Sequence, residues 1–100
     1  MANITKTQIR KRKGELYDRL QALYDELDEI VSDINILQSE VEDESYSIEP
    51  YEGANELTPE QEERQEWLES AASSLEEAAN TADEAKDTIE SAQNSLEEIE

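Results

Sequence analysis

Apolar residues fall at Leu16, Leu20, Leu23, Leu27, Ile30, Ile34, Leu37 and Val41, in strictly alternating steps of four and three. That period of about 3.5 belongs to a helix laid against another helix, whereas a strand needs a period of two. With Leu20, Leu27, Ile34 and Val41 at heptad position a, the residues Leu16, Leu23, Ile30 and Leu37 take d. Ile9 is at d earlier still, and Lys13 is the polar intruder at a. A further stripe of Tyr17, Tyr24 and Val31 repeats at e and widens the apolar face beyond a two-stranded seam.

A second ladder starts after Thr58-Pro59-Glu60-Gln61. Thr58 suits the N-cap, Pro59 suits the first helical position, and Gln61 can close a capping box. From there Leu68, Ala71, Leu75, Ala78, Ala82, Ala85, Ile89, Ala92, Leu96 and Ile99 again step by three and four. The d positions Ala71, Ala78, Ala85 and Ala92 cover little area but allow two helix axes to approach closely. A broad face on the first helix can therefore seat against a thin second helix.

Residues 45–58 contain both Pro50 and Gly53 and break the period, which makes them the turn. The expected fold is all-α: one hairpin domain over 1–100, with a helix at about 5–44, a loop at 45–58 and a helix at about 59–99. Each helix would span roughly 60 Å at 1.5 Å per residue. Gly14 is a weak point where the first helix can fray or bend. Two helices share one seam and leave outer flanks wet, so a second copy is expected, completing a four-helix bundle. The face assigned to it is Tyr17, Tyr24, Val31 and Trp67, with Ala72 and Ala79 beside them; thickening the seam within one chain is the alternative use of the same residues.

Composition alone opposes this fold. Leu, Ile, Val and Phe make up 19 of 100 residues and the formal charge is −20, values typical of a disordered chain. The order of the residues reverses that expectation by placing the few apolar ones on faces that can pair. The charge is also polarised: Lys6, Arg10, Lys11, Arg12, Lys13 and Arg19 are six of the eight basic residues. In a hairpin this run lies beside Glu90, Glu97 and Glu98 at the negative end of the second helix, where it can clamp the open end. The competing reading, a patch for nucleic acid or an anionic membrane, is the weaker one. It lacks adjacent aromatic residues for base stacking, and the rest of the chain repels phosphate.

Several chemistries have no residues to carry them. Cys and His are both absent, which removes disulfides, thiolate nucleophiles, zinc sites and the commonest catalytic base. No glycine-rich phosphate loop and no calcium-binding loop occurs in the sequence. Carboxylate pairs such as Glu62 with Glu66 would need an apolar pocket to separate their pKa values, and a two-helix hairpin offers none. The expectation is a protein without enzymatic activity, cofactor or metal. No apolar run approaches the length of a membrane span or a signal-peptide core, so a soluble cytoplasmic protein without membrane binding is expected.

The acids occupy mainly the outer heptad positions b, c, f and g. For any one run, a solvated face is the ordinary explanation. Taken together, residues 20–100 hold 26 acids and two bases, and those 24 net negative charges along roughly 60 Å approach the density of duplex DNA, one per 1.7 Å. In size, charge and helicity the chain resembles the small acidic helical inhibitors of phages and mobile elements, of the anti-restriction and anti-CRISPR types. That resemblance implies a DNA mimic that blocks a basic nucleic-acid-binding protein such as a host defence nuclease, without binding nucleic acid itself. The contact acids expected are Asp25, Glu26, Asp28, Glu29, Asp33, Glu62, Glu63 and Glu66.

Two other readings compete. One is an adaptor or scaffolding module in which the bundle is itself the function, with Tyr46, Ile48, Tyr51 and Leu57 capping it or docking a partner. The other is a secretion partner similar to the WXG100 proteins, for which Tyr51-Glu52-Gly53 stands where the family carries Trp-x-Gly. Trp67 is followed by Leu68 and Glu69 and does not supply that motif. The family's C-terminal Tyr-x-x-x-acidic signal is also missing, since the last Tyr is Tyr51.

Overall fold

The computed structural model describes residues 3–100 and consists, over those residues, of two helices joined by a loop. Helix α1 runs Lys6–Tyr46 and helix α2 runs Pro59–Glu97, and they pack antiparallel as a helical hairpin. Both begin on capping boxes. Thr58 Oγ1 accepts from the Gln61 amide at 3.1 Å while Gln61 Oε1 accepts from the Thr58 amide at 2.9 Å. Thr5 and Gln8 repeat the arrangement at 3.1 and 2.9 Å, so each helix starts with two amides satisfied that would otherwise lack partners.

Gly14 lies within α1 without interrupting it, and a methyl group there would meet nothing within 4 Å. Gly53 has φ of 86°, and the Ala54 amide donates to the Tyr51 carbonyl at 2.8 Å. Residues 51–54 therefore form a tight turn whose third residue needs the left-handed region that glycine tolerates best. Gln61 Nε2 donates to the Glu49 carbonyl at 2.9 Å and ties the loop to the start of α2.

The chain divides into two compact units, Val31–Thr81 with the loop, and Met1–Ile30 with Ala82–Glu100. In the loop unit the apolar core is Leu68, Ala72 and Ala79, and Ser45 is buried with its hydroxyl donating to the Glu42 carbonyl at 2.9 Å. In the other unit no apolar side chain is buried among the described residues; the buried residue there is Gln93. Its amide donates to Gln21 Oε1 at 3.1 Å and to the Tyr17 carbonyl at 3.5 Å.

The helices meet mainly along rows a and e, so the a residues of the apolar ladder are covered as expected while its d residues on α1 are not. On α1 the half-buried rows are a and e, including Leu20, Leu27, Tyr17 and Tyr24 in one unit and Ile34, Val41 and Val31 in the other. The d residues Leu16, Leu23, Ile30 and Leu37 remain exposed. On α2 the contact side runs through Gln65, Leu68, Ala72, Leu75 and Ala79, then Lys86, Ile89 and Gln93; of the d residues, Ala71 and Ala85 are half-buried and Ala78 and Ala92 are exposed. Tyr17, Tyr24 and Val31 are half-buried within the chain and Ala72 and Ala79 are core, in keeping with the alternative use of these residues, thickening the seam within one chain. The physical reason is that Gln65, Lys86 and Gln93 all satisfy their polar ends while packing. Gln65 donates to the Ser45 carbonyl at 3.4 Å, and Lys86 pairs with Asp28 at 2.7 Å. Counting apolar residues alone overlooks such positions.

Candidate functional site

Charge divides unevenly between the two units. Val31–Thr81 holds 15 acidic residues against Arg64 alone, a net charge of −14, and the remaining residues hold 13 acids and seven bases, a net charge of −6. Arg64 is itself occupied, its guanidinium 3.1 Å from Glu44. The segment of α2 within the loop unit, residues 59–81, is about 34 Å long at 1.5 Å per residue. The unit therefore carries about one net negative charge per 2.5 Å of that length, against one per 1.7 Å in duplex DNA.

A heptad row on α2 concentrates these acids. Glu62, Glu69 and Glu76 recur every seven residues, about 10 Å apart along one side of the helix. Glu69 and Glu76 line a shallow groove with Glu42, Ser45, Ala72 and Ser73, so α1 and α2 contribute carboxylates to the same side. The rigid backbone beneath them is set by Ser45 and Ala72, both buried. Glu69 and Glu76 were not among the acids expected from the sequence, although their period of seven was legible there.

The acids expected as contacts fall in both units. Asp33, Glu62, Glu63 and Glu66 belong to the loop unit, and Asp25, Glu26, Asp28 and Glu29 to the other. Asp28 is already engaged by Lys86, whose side chain is 14% exposed and whose ammonium also lies 4.9 Å from the centre of the Tyr24 ring. Trp67 is 68% exposed and lines a groove with Glu60, Glu63 and Arg64. Of the loop residues, Ile48 and Leu57 are half-buried, whereas Tyr51, like Tyr46 at the end of α1, projects into solvent.

The unit holding both chain ends has a different chemistry. Arg10 donates to the Glu100 carbonyl at 3.2 Å and Lys13 to the Ile99 carbonyl, so the bases meet backbone oxygens past the end of α2. Glu97 and Glu90 instead face the tyrosines. A hydrogen bond donated by the Tyr17 hydroxyl to Glu97, and the repulsion that carboxylate exerts on a phenolate, raise the Tyr17 pKa above its ordinary value. The hydrogen bond from Tyr24 to Glu90 raises its pKa likewise, against the opposing charge of Lys86. Lys86 is raised chiefly by its hydrogen bond to Asp28, with partial desolvation opposing.

Among the described residues, no group of three or more acids has the geometry to hold a metal ion, and no helix is long and apolar enough to cross a membrane. Comparison with protein-family models, curated proteins and solved structures finds no match to this chain.

Proposed function

We propose that this chain is a DNA mimic, which binds the nucleic-acid groove of a basic protein and blocks it without catalysing a reaction. The observation that carries this reading is the charge of the loop unit, −14 with its one base neutralised by Glu44. A face built only for solubility needs no such excess, since a net charge of about 2 to 8 suffices for a small domain. Helical carboxylates held at fixed spacing meet Arg and Lys side chains at little ordering cost, and the surrounding field steers association. The working surface is centred on Glu62, Glu69 and Glu76 with Glu42, and Asp33, Glu63 and Glu66 supply the flanking field. The resemblance to small acidic inhibitors of phages and mobile elements directs the search for the target to host defence nucleases.

The test is capture of host proteins on the immobilised chain at low salt, followed by elution with duplex DNA. A captured DNA-binding protein released by DNA and by salt is the expected result. Replacing Glu62, Glu69 and Glu76 together by Gln should weaken its binding at least tenfold and make that binding less sensitive to salt, because fewer carboxylates remain to pair with the target's bases. Capture that DNA does not reverse, or binding indifferent to the triple replacement, would refute the mimic.

A further inference from the structure

We infer that the face bearing Leu16, Leu23 and Ile30 binds a second copy of this chain, antiparallel, about a two-fold axis at Leu23. These residues are 45%, 52% and 42% exposed and recur every seven residues along one side of α1. They belong to the unit in which no apolar side chain is buried among the described residues, so the unit lacks the dry core that a second copy would complete.

Two features identify the occupant. The first is the scarcity of acids: the groove beside Leu16 and Leu23 is lined by Arg19, Leu20, Ala92, Ser95 and Leu96, with no carboxylate. In a chain with 28 acidic residues, a groove lined by none of them is where two copies can approach with least repulsion. The second is register. A two-fold axis at Leu23 sets Leu23 against itself and Leu16 against Ile30 of the second copy, each seven residues from the axis. The flanking g positions are Arg19 and Glu26, four and three residues from the axis on opposite sides, so the same axis brings Arg19 to within one residue, about 1.5 Å, of the level of Glu26 of the second copy, twice by symmetry. A parallel pairing in register would instead oppose Arg19 to Arg19 and Glu26 to Glu26. A foreign helix would have no reason to match this self-complementary order of apolar and charged positions.

Arg19 and Glu26 are exposed and neither pairs with an opposite charge within the chain among the described residues, so reversing them should leave the hairpin intact. Sedimentation equilibrium on the full chain should show a dimer. Arg19→Glu alone, and Glu26→Arg alone, should each weaken it at least about tenfold, and the double variant should restore it to within about threefold. Helicity by circular dichroism checks that each variant is folded. Orientation is read separately because the chain has no cysteine. Leu16→Cys mixed with Ile30→Cys should form a mixed disulfide, while Leu16→Cys alone should not crosslink to itself. A monomer at about 1 mM, where even weak association is visible, would overturn the inference. So would a dimer that the double reversal fails to restore, or a crosslink between two Leu16→Cys chains.

Discussion

The Lys86 ammonium lies 2.7 Å from the Asp28 carboxylate across the two helices, with the Tyr24 ring 4.9 Å away, in a side chain that is otherwise largely covered. A lysine thus occupies a position on the helix contact that an apolar ladder would assign to a hydrophobic residue. Its methylene stem supplies the packing, and Asp28 and Tyr24 receive the charge.

Stability is expected to fall at alkaline pH. Tyr17, Tyr24 and Lys86 all have folded-state pKa values above their ordinary ones of 10.0 and 10.5. The folded chain therefore holds protons that the unfolded chain has begun to release, and stability is fully present below the unfolded values and lost as pH rises through the folded ones. The melting temperature should be level to about pH 9.5 and drop steadily above it, near the ordinary tyrosine and lysine range. Tyr24→Phe should make that drop shallower, and an unchanged slope would show that the Glu90 contact does not act as argued.

The two glycines should respond in opposite directions. Gly14→Ala places a methyl group in open space inside a helix and should stabilise the chain by up to about 1 kcal/mol. Gly53→Ala forces a side chain into a φ of 86° and should destabilise by about 1 kcal/mol. Urea unfolding of the two variants side by side reads both effects, and equal signs would contradict the backbone assignments.

Added salt should stabilise the hairpin. The charge of −20 makes repulsion the dominant long-range interaction, and at 0.1 M salt charges more than about 10 Å apart are largely screened. The ion pairs that screening weakens, Arg64 with Glu44 and Lys86 with Asp28, are far fewer than the repulsions relieved. Melting temperature should therefore climb between 10 mM and 500 mM sodium chloride, by roughly 5 °C or more for each kcal/mol relieved in a chain of this size. A fall would mean that the few attractive pairs outweigh the acids.

Two helices, the start of the second and the turn between them can all be read from the order of the residues. Those features are local: a period of 3.5, the Thr58 and Gln61 capping pair, and a glycine at the one tight turn. Which side of each helix is covered is settled by packing between the helices. Leu16, Leu23 and Ile30 are as apolar as Leu20 and Leu27, and the heptad pattern cannot rank them. The choice depends on whether Lys86, Gln65 and Gln93 can satisfy their polar ends across the contact, which requires Asp28, Ser45, Tyr17 and Gln21 in particular places. The acids along the chain divide between two units, with the denser charge in Val31–Thr81, the unit that holds Glu62, Glu69 and Glu76. Periodicity records what each residue contributes to a helix, whereas burial depends on what the opposing helix offers it.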